Sequence, residues 1–237
     1  MILQTLTREL FIPLKEFIFP PLCFACDRPV KSGNSKICAE CWNSLESVDP
    51  SHDTWLEIQQ RLDEQQVISD LCSCFLFEKE GRMQDIMHHL KYRGVKSIGR
   101  ELGRRIGERH AAFFREIGAQ VCIPMPLHKL KARERGYNQC DLICRGIADI
   151  SRITVRTDIL RREKFTLTQT KLGIDERRAN VANAFSVDPA SVAALKSVVV
   201  LLVDDVITTG STMNSAAAEL LAAGADRVVA VSAALAV

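Results

Sequence analysis

The sequence predicts an α/β fold built on a mainly parallel β-sheet flanked by helices. One observation is an uninterrupted apolar run from Ser197 to Val203, which is typical of a parallel strand buried on both faces. A second is the order of the segments, because strand-like and helix-like patterns alternate along most of the chain. A third is a polar turn directly after the apolar run, where α/β sheets commonly bind ligands.

The composition is that of a globular protein. The chain has 237 residues, of which 47% are hydrophobic, 25% charged and 6% aromatic, so disordered, collagen-like and rod-like coiled-coil classes are excluded. The longest apolar stretches, residues 198–203 and 228–237, are much shorter than the roughly 18–20 residues of a transmembrane helix. Charges interrupt the N-terminal apolar residues, unlike a secretory signal. We therefore expect no membrane insertion and a cytoplasmic location.

The N-terminal part predicts a small metal-binding module. Residues 2–18 have the pattern of an amphipathic helix, and two Cys-x-x-Cys pairs follow it, with eleven residues between them. Such pairs indicate a tetrahedral Zn²⁺ site, and four thiolates leave no open coordination position, so the zinc is predicted to be structural. A pair of disulfides is the alternative, which a reducing cytoplasm disfavours. The predicted ligands are Cys23, Cys26, Cys38 and Cys41.

The remaining elements are predicted from periodicity and turn residues. We expect domain boundaries at residues 1–48 for the helix and zinc module and 66–237 for the large domain, with a linker at 49–53. The predicted strands are residues 67–77, 121–124, 181–187, 197–203 and 227–233, and the predicted helices are 83–90, 98–114, 138–150 and 212–223. Residues 124–136 are predicted to form a loop, and residues 161–180 a long irregular excursion, which is usually functional or mobile.

Basic residues are concentrated in the middle of the chain. Residues 88–178 carry 21 basic and 10 acidic side chains, a net charge of +11, although the whole chain has a net charge of only +2. This concentration suggests an anionic ligand such as a phosphate, a pyrophosphate or a nucleic acid. A solvated helical face is the alternative and is preferred for residues 100–115, whereas a ligand is preferred for residues 129–135.

The segment from Val199 to Thr212 carries the most specific chemical signal. Its buried strand delivers Asp204 and Asp205 to the edge of the sheet, and the turn from Thr208 to Thr212 then opens a helix. Backbone N–H groups and hydroxyls in such a turn can surround a phosphate, helped by the helix dipole. The paired carboxylates can accept hydrogen bonds from vicinal hydroxyls. The arrangement predicts a ribose-5-phosphate site.

This segment resembles the signature of the type I phosphoribosyltransferases, which bind phosphoribosyl pyrophosphate (PRPP) with Mg²⁺. Nearly the whole chain is similar to the competence protein F (ComF) family, which acts in DNA uptake and natural transformation. Further matching segments are the cysteine module at 20–26, Leu90-Lys91-Tyr92-Arg93-Gly94, residues 124–139 and residues 166–185. The resemblance implies a type I phosphoribosyltransferase-like fold.

The resemblance also implies residue roles. Asp204 and Asp205 would hold the ribose diol and, through water, Mg²⁺. The 5-phosphate would contact Thr208, Thr209, Gly210, Ser211 and Thr212. Candidates for the pyrophosphate or another anion are His128, Arg133, Arg135, Lys91 and Arg93. The family's flexible loop, which closes over PRPP, corresponds to the segment with Arg162, Gln169, Arg177 and Asn180.

Two functions remain open at this point. The first is a PRPP-binding protein that acts in the internalisation of single-stranded DNA, with or without transfer to an unknown acceptor. Position 208 is Thr, where purine-type enzymes often carry an acidic residue, so a purine acceptor is in doubt. The second is a protein that binds single-stranded DNA or a partner of the uptake machinery, with a vestigial phosphoribosyl site and with Tyr92 and Tyr137 as stacking residues.

Overall fold

The fold was analysed in a computed structural model, which describes residues 21–30, 35–162 and 184–237. The helices are α1 (Ala39–Asn43), α2 (Asp53–Asp63), α3 (Arg82–Tyr92), α4 (Lys96–Glu116), α5 (Lys129–Arg135), α6 (Gln139–Ser151) and α7 (Ser211–Ala222). The strands are β1 (Asp70–Cys72), β2 (Phe75–Phe77), β3 (Val121–Pro124), β4 (Thr154–Val155), β5 (Leu160–Arg162), β6 (Phe185–Val187), β7 (Val199–Ile207) and β8 (Arg227–Ala236). A 3₁₀ helix spans Pro189–Leu195.

The main sheet is parallel throughout its described strands. Its order is β1-β8-β7-β3-β4, and β2 continues along β8 beyond β1. The long strand β7 therefore lies inside the sheet, between β3 and β8. A separate antiparallel pair is formed by β5 and β6. The predicted fold class, a mainly parallel sheet flanked by helices, is confirmed.

Both faces of the sheet are buried, as the unbroken apolar run predicted. Leu202 of β7 points toward the face that α2 and α7 cover. Its neighbours Leu201 and Val203 point to the opposite face, which α3, α4 and α6 cover. All three side chains are fully inaccessible to solvent. Because β7 is held inside this double-sided core, the polar residues after Val203 have a fixed position at the sheet edge.

Most predicted elements are found close to their expected bounds. The helices at 83–90, 98–114, 138–150 and 212–223 and the strands at 121–124, 197–203 and 227–233 are confirmed. The predicted helix 2–18 and residues 163–183 lie outside the described residues. Among the described helices, none has the length and apolar character needed to cross a bilayer.

Three predictions need correction. The strand predicted at 67–77 is divided into β1 and β2. At the break, the carbonyl oxygens of Ser73 and Cys74 lie 3.0 and 2.9 Å from the side chains of His110 and Arg109 of α4. The predicted linker at 49–53 runs directly into α2, which buries Trp55, Ile58 and Leu62 against the sheet.

The third correction concerns the predicted loop at 124–136. It contains the short helix α5, which His128 caps by accepting the Leu130 N–H at its Nδ1 atom, at 3.3 Å. No residue of α5 is buried. An apolar stripe, the usual signal of a surface helix, is therefore missing from this segment.

Candidate functional site

The candidate site lies near the C-terminal end of β7. Asp204 is in register with Ser232 of β8, and Asp205 is the next residue along β7. Asp205 is only 5% exposed, whereas Asp204 is half-buried. The carboxyl ends of parallel strands are where open α/β sheets bind ligands, so the predicted pair occupies the expected edge.

Asp205 is surrounded by protein donors. Lys91, from the last turn of α3, places its ammonium 2.8 Å from Asp205 Oδ2. Gln139, the first residue of α6, donates its amide to the same oxygen at 2.9 Å. The other oxygen, Oδ1, accepts the Val206 backbone N–H at 2.8 Å. Burial opposes the charge of Lys91, but the nearby carboxylates outweigh it and raise the pKa of Lys91.

Asp204 has a poorer set of donors. Its Oδ1 accepts the Asp205 backbone N–H at 2.8 Å and faces the Cys140 thiol at 3.5 Å. Burial and the neighbouring Asp205 carboxylate raise the pKa of Asp204 to about 6. Burial also raises the pKa of the Cys140 thiol, with both carboxylates adding to the effect. Asp204 is therefore the less stabilised carboxylate of the pair.

The predicted phosphate turn connects β7 to α7. Thr208, Thr209 and Ser211 are exposed, Thr212 is half-buried, and Gly210 is buried with a φ of 74°. The Thr209 and Ser211 hydroxyls lie 3.1 Å apart at the first turn of α7. This 12-residue helix has no acidic side chain in its first turn. Hydroxyls and helix N–H groups at one exposed turn are the donor set that a phosphate needs.

The underside of this turn packs against α2. A Cβ atom on Gly210 would lie 2.5 Å from Leu62 Cδ2, which is closer than atoms can approach. The Asn214 amide also donates to the Arg61 carbonyl oxygen at 3.4 Å. The end of α2 thus supports the turn, a contribution that the sequence did not predict.

The predicted anion-binding residues occupy different places. Lys91 contacts Asp205, and Arg135 donates to Gln139 Oε1 at 2.8 Å. Arg162, half-buried at the end of β5, interacts electrostatically with Asp204. His128 caps α5, while Arg93 and Arg133 are exposed. Gln169, Arg177 and Asn180 of the predicted flexible loop lie outside the described residues.

Two site residues had no predicted role. Gln139 links Arg135 to Asp205, and Cys140 contacts Asp204. Gln139 is 4% exposed and Cys140 is 1% exposed, so both side chains are buried beside the acidic pair. Their contacts with Asp205 and Asp204 join residues 66 and 64 positions apart in the chain, so no local sequence pattern identified them.

The four predicted zinc ligands form one cluster. The sulfur atoms of Cys23, Cys26, Cys38 and Cys41 all lie within 4.8 Å of one another. The Cys26 and Cys38 sulfurs are 3.8 Å apart, which matches the edge of roughly 3.8 Å of a tetrahedron with Zn–S bonds of about 2.3 Å. The donor set therefore fits a structural zinc ion.

The four cysteines have different electrostatic surroundings. The Cys23 sulfur accepts the backbone N–H groups of Ala25 and Cys38 at 3.4 and 3.3 Å. Arg28 donates to the Cys26 sulfur at 3.4 Å and lowers the pKa of Cys26 to about 6, which favours the thiolate that ligates metal. Burial and the neighbouring cysteines raise the pKa of Cys41, so its thiol must lose a proton when zinc binds.

The structure therefore defines a class: an α/β protein with a parallel sheet, an acidic pair near the end of a central strand, and an N-terminal four-cysteine zinc module. A family model described as "Double zinc ribbon domain" matches residues 14–52. Competence protein F of Haemophilus influenzae is 29% identical over 217 residues, which are 87% of this chain and 87% of the relative. DNA utilization protein YhgH of Salmonella typhimurium is 26% identical over 224 residues, covering 88% of this chain and 94% of the relative.

The homologue in Escherichia coli strain K12, also named DNA utilization protein YhgH, is 26% identical with the same coverage of 88% and 94%. The chain is thus a homologue of competence protein F and YhgH, and the resemblance stated from the sequence is confirmed. A solved structure described as the allosteric regulatory enzyme of purine biosynthesis matches with a TM-score of 0.36 and 20% identity. That match covers 57% of this chain and 25% of the enzyme's chain.

Proposed function

We propose that the protein acts in DNA uptake and binds PRPP, or a related phosphoribosyl ligand, together with Mg²⁺ at the edge of the sheet. The names of the relatives, competence protein F and DNA utilization protein, support the cellular role. The observation that carries the ligand is the half-buried Asp204 carboxylate beside Asp205 and the exposed turn that opens α7. The proposal places this binding protein in the cytoplasm, where single-stranded DNA arrives.

Each part of the ligand has a matching group. The 5-phosphate suits the hydroxyls and N–H groups at the start of α7. The ribose diol suits the Asp204 carboxylate, which carries fewer protein donors than Asp205. Arg135 and Arg162 supply positive charge around the acidic pair for a pyrophosphate. Arg suits this role because its guanidinium binds phosphate oxygens bidentately.

Mg²⁺ fits the same edge because carboxylate oxygens and water are the ligands that it prefers. Asp204 would hold it through water, and the bound ion would neutralise part of the pyrophosphate charge. Transfer would break the C1–O bond of PRPP, with pyrophosphate leaving with the bonding electrons while an acceptor nucleophile forms the new bond to C1. The chain's own residues would bind and orient the ligand and stabilise charge.

The test is calorimetry and thermal unfolding with millimolar PRPP and Mg²⁺. We expect the wild-type melting temperature to rise and the double variant Asp204→Asn/Asp205→Asn to show no rise, since a ligand that binds the folded state stabilises it. Asp226→Asn is the matched control. Asp226 is exposed and directly precedes β8, so it lies at the N-terminal end of the strands, opposite the end that carries Asp204 and Asp205. An unchanged wild-type melting curve would remove the proposal. Pyrophosphate release with candidate acceptors then tests for transfer.

A second candidate, binding of single-stranded DNA, is favoured by one surface feature. Tyr92 is 59% exposed, although it is aromatic. The Arg135 guanidinium lies 5.3 Å from its ring centre, and the His88 ring lies 5.2 Å from it on α3. An exposed ring among basic groups is the combination that stacks bases and attracts a phosphate backbone.

Fluorescence anisotropy with a labelled oligothymidine tests this candidate. We expect affinity to fall steeply between low and physiological salt, and Tyr92→Ala to weaken binding about five- to hundredfold, as loss of one stacking contact does. Val192→Ala is the control, since Val192 is also exposed but lies on the 3₁₀ helix. No binding, or affinity independent of salt, contradicts the candidate.

A further inference from the structure

The two carboxylates of the acidic pair are not equivalent. Both oxygens of Asp205 have short contacts with protein donors: Lys91 and Gln139 contact Oδ2 at 2.8 and 2.9 Å, and the Val206 N–H contacts Oδ1 at 2.8 Å. Its side chain is only 7% exposed. Asp205 therefore has little capacity left to accept hydrogen bonds from a ligand.

Asp204 differs in both respects. It is half-buried, and its contacts with the Asp205 N–H and the Cys140 thiol both fall on Oδ1. Within the described part of the chain, no donor contacts Oδ2 of Asp204. A carboxylate oxygen of this kind at a strand end is available to a ligand's hydroxyl groups.

Lys91 is suited to a permanent role at Asp205. Its side chain is 22% exposed, so much of its hydration is lost, and a buried ammonium needs a partner to remain charged. The adjacent residues hold it in place: the Tyr137 hydroxyl donates to the Leu90 carbonyl oxygen, and the Phe24 ring of the cysteine module packs 4.7 Å from the His89 ring.

We propose that Lys91 is the built-in counter-ion of Asp205, with Gln139 as its clamp, so that Asp205 is a positioning residue and Asp204 alone receives the sugar diol. This inference rests on the proposed function and assigns a task to Lys91 different from pyrophosphate binding. The consequence is electrostatic: the acidic pair carries a net charge of about −1 rather than −2 beside the anionic ligand, because Lys91 neutralises one carboxylate.

The charged groups that face Asp204 are Asp205 on its own strand, Lys91 from α3 and Arg162 from β5. Removing the positive charge of Lys91 leaves the Asp205 carboxylate uncompensated beside the anionic ligand, so the ligand should bind more weakly. Removing the negative charge of Asp205 at the same time should reverse that loss.

The test uses ribose 5-phosphate, whose binding is measured calorimetrically at pH 8 on the full chain. We expect Asp204→Asn to weaken binding at least tenfold. The loss of affinity in Asp205→Asn should be at least five times smaller than the loss in Asp204→Asn. Lys91→Met should also weaken binding, Lys91→Arg should restore it, and Lys91→Met/Asp205→Asn should bind with close to the wild-type affinity.

Thermal unfolding of the same variants tests the pair without ligand. Lys91→Met and Asp205→Asn should each lower the melting temperature by several degrees, and the double variant should recover part of the loss, since each single change leaves a buried charge or amide unpaired. Lys96→Met is the control, because this substitution removes the same charge from a nearby position. The Lys96 ammonium lies over the Tyr137 ring, 5.1 Å from its centre.

Two results would overturn the inference: equal losses of affinity at pH 8 for Asp204→Asn and Asp205→Asn, or an unchanged affinity in Lys91→Met. If the wild type binds neither ribose 5-phosphate nor PRPP, the proposed function and the diol assignment fail together. The melting temperatures of the single and double variants then test the Lys91–Asp205 ion pair by themselves. Additive losses in the double variant would show that Lys91 is not the counter-ion of Asp205.

Discussion

Trp42 of the cysteine module donates its indole N–H to the Glu101 carboxylate of α4 at 2.7 Å. The same carboxylate oxygen accepts the Ser35 hydroxyl, also at 2.7 Å. Arg105, one helical turn further along α4, places its guanidinium 4.0 Å from the centre of the Trp42 ring. One acidic side chain therefore attaches two parts of the cysteine module to α4, the longest described helix.

Glu101→Ala should lower the free energy of unfolding by about 1–3 kcal/mol, because the Trp42 and Ser35 donors lose a charged acceptor. Glu101→Gln should cost less, since its amide oxygen still accepts. Urea unfolding measures both. Glu108→Ala on the same helix is exposed and should change stability by less than about 0.5 kcal/mol; an equal loss there would contradict the prediction.

The four-cysteine cluster should hold one zinc ion per chain, measured by atomic absorption. Cys26→Ser should release the metal and lower the melting temperature, because such small modules depend on the metal for folding. Cys72→Ser is the control: Cys72 is a buried cysteine of β1 outside the cluster, so this variant should keep its zinc. Zinc content that does not change in Cys26→Ser would refute the assignment.

Gly210→Ala should damage the phosphate turn. The substitution places a Cβ atom 2.5 Å from Leu62 Cδ2 in a residue with a φ of 74°, so the turn is strained and either it or the buried Leu62 side chain must shift. We expect binding of ribose 5-phosphate to weaken at least tenfold in calorimetry. Gly136→Ala is a close control, because Gly136 has a φ of 72° with nothing within 4 Å of the added atom. Equal losses in both variants would mean that backbone strain alone is responsible.

Asp149 should make stability depend on pH in the acidic range. Arg100 donates two hydrogen bonds to it at 2.6 Å and Arg104 one at 2.9 Å, and they lower its pKa from 3.8 to about 2. A depressed carboxyl pKa contributes stability that is present above pH 3.8 and is lost as the pH falls through about 2. Asp149→Asn should therefore flatten the pH dependence of urea unfolding in this window.

The effect should be modest, since the arginines are well exposed, and salt should reduce it. Unfolding curves at high ionic strength provide the control, because wild type and Asp149→Asn should then differ less. A slope that is the same in both proteins at low salt would contradict the attribution to Asp149.

The fold was predictable where the pattern was local and strong. The apolar run of β7 and the periodic helices α3, α4 and α6 were identified from their side chains alone. Helix α2 also carries an apolar stripe, Trp55, Ile58 and Leu62, and its spacing would have allowed prediction. Helix α5 has no buried residue, so periodicity offers no signal there.

The candidate site was predictable only in part. The acidic pair and the turn are adjacent in sequence and form a recognisable motif. The contacts of Asp205 with Gln139 and Lys91 join residues that are far apart in the chain, and only the packing of α3 and α6 on the sheet brings them together. The family resemblance assigned Lys91 to an anion, whereas the fold pairs it with a carboxylate.

The placement of β8 has a consequence for how the polypeptide acquires its shape. This strand lies between β1 and β7 in the sheet. Next to β1, the Ser69 hydroxyl donates to the Val228 carbonyl oxygen of β8, which is 159 residues away in the sequence. Until residues 227–236 are in place, β1 and β7 each present an open edge able to pair with another molecule. Assembly of the sheet therefore depends on a distant segment, and we expect slow folding and aggregation of chains truncated before β8.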